Sequence, residues 1–232
     1  MKNNQQIKKQ DIKIIIPVYN EEKTIGKLLA ELKKLGWLRS IICIDDCSID
    51  KSAEIIQKFP VAYLKHPINR GLGGALRTGF EAAKMLNAKI AVTMDADLQH
   101  KPSELETMVE PFKNPRIDIV IGTRIHDTKG MPMMRRIANR VGNFITRVLY
   151  GIKVTDSQSG FRAFRKRALE KLDLRTSRME ISSEIIAQIR KQKLRFTEVP
   201  ISAVYTDYSL SKGQGFKTGL KTMLKLIIAR FR

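Results

Sequence analysis

The chain is 232 residues long, 43% hydrophobic and 28% charged, enough to bury one sizeable core and too poor in low-complexity segments for a disordered or fibrous protein. Its formal net charge of +20 is lopsided: residues 1–123 carry 19 Lys and Arg against 15 Asp and Glu, and residues 124–232 carry 24 against 8. That excess points to a polyanionic partner met mainly by the second half, with nucleic acid, an anionic membrane and a phosphorylated substrate all open.

The first eleven residues are polar and Lys-rich with no apolar run after them, and nowhere do about 18 apolar residues follow one another, so neither a signal peptide nor a spanning helix is expected. β-Branched runs then recur at 12–17 (IKIIIP), 40–45 (SIICID), 61–64 (VAYL), 90–94 (IAVTM) and 117–122 (IDIVIG). Helix-period segments separate them at 21–36, 50–58, 71–87 and 102–114. This alternation predicts an α/β fold with a mainly parallel central sheet and helices on both faces. Asp50 is placed to cap the second helix, and Pro102, Ser103 and Glu104 suit the first turn of the fourth.

After residue 123 the rhythm changes. A basic helix is expected over 131–150, a polar loop TDSQSGFR over 155–162, further helices to about 192, and a last strand over 197–205. No internal repeat or dividing linker is evident, so residues 1–213 read as one domain. Residues 214–232 read as a basic amphipathic helix: Phe216, Leu220, Met223, Leu224, Ile227, Ile228 and Phe231 form an apolar stripe, while Lys217, Lys221 and Lys225 recur four apart. Packing on the core and lying on an anionic membrane surface both fit that pattern.

The two cysteines, Cys43 and Cys47, have no neighbouring His or Cys cluster, which argues against a disulfide framework or a zinc site and for a reducing, cytoplasmic setting. The three histidines, His66, His100 and His126, read as turn or surface residues rather than bases.

In an open α/β sheet ligands sit at the carboxyl ends of the strands, and the polar residues gather there: PVYNEE (17–22), DDCSID (45–50), HPINRGLGGALRTG (66–79), DADLQH (95–100) and GTR (122–124). Asp95 and Asp97 repel one another across one residue unless a cation lies between them, so a metal is one reading and an acidic surface turn the other. Gly71, Gly73 and Gly74 lack the spacing of a P-loop and follow the third strand. A tight turn presenting N–H groups to a phosphate is nevertheless compatible with them.

The order of these motifs, together with RRIANR, DSQSGFRAF, EVPI and SKGQG, resembles family 2 glycosyltransferases of the GT-A fold, in the dolichyl-phosphate mannose synthase-like or polyprenyl-phosphate branch. The resemblance spans residues 12 to 215. It implies that Pro17, Tyr19, Glu21, Asp46 and Ala96 hold the base and ribose of a nucleotide sugar, with Asp95 near the ribose or the metal. Asp97 with Gln99 would ligate Mg²⁺ or Mn²⁺, and Arg124, Arg135 and Lys212 would meet phosphates. Arg135, Asn139, Asp156 and Arg162 are the candidates around an acceptor phosphate. Asp156 would cap the turn or orient those basic groups, and Glu184 faces either the cleft or water.

A lipid phosphate is already anionic near neutral pH and needs no general base, whereas a sugar or protein hydroxyl needs one. The expectation is therefore transfer of a hexose from a UDP- or GDP-sugar to a polyprenyl or dolichyl phosphate, at the cytoplasmic face of a membrane reached through the last helix or a separate membrane protein. Transfer to a hydroxyl acceptor is the alternative. A nucleic-acid-binding module is disfavoured by 6% aromatic content and by acidic strand-end loops. Thr206 and Ser209, where relatives of the mannose synthase type carry Arg and Gly, and Cys47, where a smaller residue is common, depart from the pattern; they bear on donor contacts and sugar identity.

Overall fold

The computed structural model describes residues 7–124, 133–202 and 204. Strands β1 (Ile12–Val18), β2 (Ile41–Asp45), β3 (Ala62–Lys65), β4 (Ile90–Thr93) and β5 (Ile119–Thr123) follow the expected alternation with helices α1 (Ile25–Lys34), α2 (Ser52–Ile56), α3 (Gly71–Met85) and α4 (Leu105–Val109). Beyond them lie α5 (Met133–Tyr150), β6 (Arg162–Arg165), α6 (Lys166–Lys171), α7 (Ile181–Lys191) and β7 (Phe196–Pro200). All seven strands join one sheet in the order β3-β2-β1-β4-β6-β5-β7. Only β6 runs against its neighbours.

The central strands are buried on both faces, which is why their sequences run continuously apolar instead of alternating. Ile14 and Ile16 point into one layer with Leu28, Leu32 and Met108. Ile15 points the other way, into a layer with Ile44, Phe80 and Phe164. Gly79 lets α3 lie directly on β1, since a Cβ there would meet Ile15 Cγ2 at 2.2 Å. The N-cap of the second helix is Lys51 rather than the expected Asp50, which sits one residue earlier and accepts from Ser52 N through Oδ1 at 3.0 Å.

Three further expectations need correction. The stretch after the polar loop is not helical throughout, because β6 inserts between β4 and β5, with Arg162 opposite both Thr93 and Ile121. The last strand starts at Phe196 and ends at Pro200 rather than spanning 197–205. The helix expected over 102–114 contains a single α-helical turn flanked by 3-10 turns, with Pro111 inside the second; proline cannot donate to the helical ladder. The amphipathic segment 214–232 lies outside the described residues.

Chain order reverses between β1 and β4: β2 and β3 extend the sheet on one side of β1 and β4 adjoins the other. The carboxyl ends at such a switch point open a crevice. The antiparallel sense of β6 brings its amino end, and the 155–161 loop before it, to that same rim.

Candidate active site

The acidic loop leaves β4 at Asp95. Leu98 takes a left-handed φ of 64°, which folds the loop back so that Gln99 donates to Asp97 twice: from its backbone N to Oδ1 at 3.0 Å and from Nε2 to Oδ2 at 2.6 Å. The side chain of Asp95 is 40% exposed, and its carboxylate lies against the backbone of Gly160. Crowding by the cleft walls raises the Asp95 pKa; Arg124 and Arg162 oppose this, and Glu21 adds to it. Asp97 is also raised, first by burial and then by the charge of Asp95, with Glu21 a further contributor. Three carboxylates from the ends of β1 and β4 thus share one electrostatic environment.

His100 closes this loop from beneath. It is 2% exposed, stacks on Phe161 with ring centroids 5.0 Å apart, and its Nδ1 accepts from Asp95 N at 3.2 Å. Burial pushes its pKa down to about 4. The ring is a neutral support, and the proton it carries sits on Nε2.

The opposite wall is basic. Arg124, directly after β5, forks onto Asp156, with Nε to Oδ2 at 2.6 Å and Nη2 to Oδ1 at 2.8 Å. Asp156 is itself 3% exposed, so the pair is a desolvated clamp that fixes the guanidinium plane. The loop carrying Asp156 is held in turn: Glu198 Oε1 accepts from Thr155 N and Oγ1 at 2.8 and 2.7 Å. Asn143 of α5 donates to Thr155 O at 2.5 Å and accepts from Ser157 N at 2.9 Å.

Behind Asp95, Arg162 donates to Ser157 O and Ser182 O. Burial lowers its pKa to about 10 against the pull of Asp156 and Asp95. Among the described residues Arg162 Nε and the hydroxyls of Ser157 and Ser159 are buried without a partner.

On the other side of the crevice, Tyr19 is 48% exposed. Glu21 is reached by Ser52, whose Oγ accepts from Glu21 N at 2.7 Å. Asp46 is 3% exposed. Its Oδ1 meets His66 Nδ1 at 2.7 Å and accepts from Arg70 N at 2.8 Å, while Oδ2 accepts from Gly71 N at 2.7 Å.

The N-terminus of α3 is therefore capped by the chain's own carboxylate rather than left open to a phosphate. The glycine cluster serves packing. A Cβ on Gly71 or Gly73 would meet Ser177 O at 2.5 Å or Thr176 O at 2.2 Å, and Glu184 holds that turn by accepting from Arg175 N, Thr176 N and Thr176 Oγ1.

Asp95, Asp97, Gln99, Glu21 and Arg124 therefore come together at one rim, with Tyr19, Pro17 and Asp46 on its β1–β2 side. Ala96 is 4% exposed, in the core. Arg162, expected near an acceptor phosphate, is instead interior at 2% exposed, because the antiparallel strand draws it between β4 and β5. Asn139 is half-buried on α5. Arg135 also falls on α5 but its side chain, like Lys212 and His126, lies outside the described residues. Gly160, Asn143, Thr155 and Glu198 are site residues that sequence reasoning missed; only the Gly before Phe161 carried a signal, as the one residue there without a side chain.

Among the described residues no group of three or more His, Cys, Asp or Glu is arranged to hold a metal. Asp95, Asp97 and the Gln99 carboxamide form an incomplete all-oxygen set, which suits a hard divalent cation whose other ligands come from phosphate and water.

A seven-stranded sheet of this order, with an acidic loop at the switch point, is the GT-A architecture. The model of "Glycosyl transferase family 2" matches residues 13–173, and the chain belongs to that family; it is a glycosyltransferase. An uncharacterized protein of Methanocaldococcus jannaschii is 45% identical over 97% of this chain and 94% of its own length. A UDP-N-acetylglucosamine--dolichyl-phosphate N-acetylglucosaminyltransferase of Methanococcus voltae is 38% identical over 94% of this chain and 96% of that protein. A dolichol-phosphate mannosyltransferase of Pyrococcus furiosus is 31% identical over 82% of this chain and 56% of that protein. Glucosyl-3-phosphoglycerate synthase from Mycobacterium tuberculosis, crystallised with Mn²⁺, UDP and phosphoglyceric acid, superposes with a TM-score of 0.74 at 17% identity, over 95% of this chain and 76% of that one. At that identity the likeness shows the fold.

Proposed function

We propose that this glycosyltransferase moves a sugar from a nucleoside-diphosphate sugar to a polyprenyl-type lipid phosphate, with a divalent cation held by Asp97, Gln99 and Asp95. The observation that carries the reading is the pairing of the acidic loop with the desolvated Arg124–Asp156 clamp across one crevice. When bound, the cation would offset the negative charge that develops on the departing nucleotide. Arg124, its plane fixed by Asp156, suits a phosphate oxygen better than a free lysine would. Pro17, Tyr19, Glu21 and Asp46 line the side where base and ribose are expected, and Arg135, Lys212 and Asn139 remain candidates for phosphate contacts.

A phosphate acceptor also fits the state of the two described histidines. His100 is neutral and turned into the core, and both ring nitrogens of His66 are engaged, by Asp46 and by Thr78 Oγ1 at 2.9 Å. Neither is placed as a base. A phosphate monoester, mostly ionised at pH 7, attacks C1 of the sugar without one. The similarity to dolichyl-phosphate transferases supports the same acceptor class.

The test is incubation of labelled UDP- and GDP-sugars with polyprenyl phosphate, or with a hydroxyl acceptor, in Mg²⁺ or Mn²⁺. Lipid-linked product is expected, lost more than about 100-fold in Asp97→Ala. Undiminished transfer by that variant would remove the metal assignment, and product only on the hydroxyl acceptor would remove the lipid one.

A further inference from the structure

Helix α5 carries an apolar face that nothing in the described chain covers. Met133 is 76% exposed, Ile137 42%, Val141 38%, Phe144 67% and Val148 65%. At 100° per residue these five fall within an arc of about 80°. Arg136, Arg140 and Arg147, all exposed, fall along one edge of that arc. The 18 residues of the helix include no Asp or Glu. The far side is anchored: Thr146 is buried, α5 packs on α7, and Asn143 is bonded to the 155–157 loop.

We infer that the outer face of α5 is a docking surface for an anionic lipid bilayer, on which the helix lies flat. An apolar stripe edged with arginine is the pattern that seats a helix at the headgroup boundary. No described helix is long and apolar enough to cross a membrane, so the stripe serves contact and not insertion. Charge selects the occupant. A second copy would bring the same arginines against these. The chain's own segment 214–232, which carries five Lys and Arg and no carboxylate, would do likewise.

An anionic surface is instead attracted to every one of them. The geometry gives the contact a purpose that rests on the proposed lipid acceptor. Asn143 ties the inner face of α5 to the loop whose Asp156 holds Arg124, so a bilayer on the outer face lies about one helix diameter, 10–12 Å, from that loop.

The experiment is co-sedimentation of the full chain with vesicles of phosphatidylcholine containing about one-third phosphatidylglycerol and no polyprenyl phosphate, so that binding is read independently of transfer. Phe144→Glu combined with Val148→Glu is expected to weaken partitioning at least tenfold, with thermal melting and sedimentation velocity unchanged in the absence of lipid. Arg140→Glu with Arg147→Glu is expected to abolish the preference for anionic over neutral vesicles. Unchanged vesicle binding by the first variant would overturn the inference. So would a lipid-free wild-type dimer that the first variant dissociates, which would assign the face to a second copy, or a drop in its melting temperature, which would assign it to the chain's own terminal segment.

Discussion

Gly160→Ala separates geometry of the acidic loop from stability of the fold. A Cβ at Gly160 would lie 2.4 Å from Asp95 Oδ2, 2.7 Å from Oδ1 and 2.9 Å from Cγ, where ordinary carbon–oxygen contact needs roughly 3.4 Å. The peptide at Gly160 cannot give way freely, since its carbonyl accepts from Thr93 Oγ1 at 2.7 Å and Arg162 N follows at 3.3 Å from the same hydroxyl. The carboxylate must therefore retreat by about 1 Å, and misplacement on that scale costs on the order of 100-fold in rate, or about 2.7 kcal/mol of transition-state stabilisation.

Because Asp95 is partly open to solvent and can swing outward, the expected stability loss is below about 1 kcal/mol, less than roughly 4 °C in Tm for a chain of this size. The assay is initial-rate sugar transfer beside a thermal melt. Gly73→Ala is the counterpart, since its Cβ would strike the backbone of Thr176 and Ser177; it should melt several degrees lower through overpacking and keep its turnover at temperatures where it is folded. Wild-type turnover by Gly160→Ala, or turnover lost only in proportion to stability, would refute the reasoning.

Two more outcomes follow from buried groups. Asp156→Ala leaves the Arg124 guanidinium without its fork in a site where Asp156 is 3% exposed, so it should cost about 3 kcal/mol in chemical denaturation, and a double-mutant cycle with Arg124→Ala should return a coupling of at least about 1.5 kcal/mol; additive single losses would contradict the clamp. Burial, and secondarily the charge of Asp45, pushes the Cys43 thiol up to about 12 from its usual 9. The native chain holds that proton where the unfolded chain releases it, so this contribution to stability is whole below pH 9 and lost progressively as pH rises toward 12. Iodoacetamide at pH 8.5 should leave Cys43 unmodified in the native protein and alkylate it in urea, by mass spectrometry.

Most of the parallel sheet was legible because burial on both faces leaves a continuous β-branched signature, and the rim residues were legible because acidic and basic side chains interrupt it at the strand ends. β6 was not. Its sequence, RAFR, is four residues with arginine at both ends, and it becomes a strand only because β4 and β5 leave a gap that an antiparallel segment fills, with Phe164 in one layer and Ala163 in the other. The burial of Arg162, expected near an acceptor phosphate, was hidden for the same reason: only the strand on either side makes it interior. Asn143, Thr155 and Glu198 had no chemical signature at all. They act by holding Arg124 through Asp156, a role visible only once four segments separated in sequence have been brought together.

The glycine-rich turn shows how a sound local inference loses to a tertiary one. Gly71, Gly73 and Gly74 at a helix start offer unpaired N–H groups with a positive field, and a phosphate is the usual anion to seek there. In this fold Asp46 arrives first, from the end of β2, and its two oxygens accept from Arg70 N and Gly71 N, while Gly74 N donates to Ser177 O at 3.2 Å. A carboxylate already on the helix axis repels a second anion. Positive charge for the diphosphate of the proposed donor would then come from side chains on the other wall of the crevice, where Arg124 is held by its fork onto Asp156. On the proposed function that division fits the basic excess of the second half of the chain: the first half binds its own anion at α3 and gathers carboxylates at the rim, and a phosphate would fall to basic residues after β5, of which Arg124 is the one fixed by a carboxylate among the described residues.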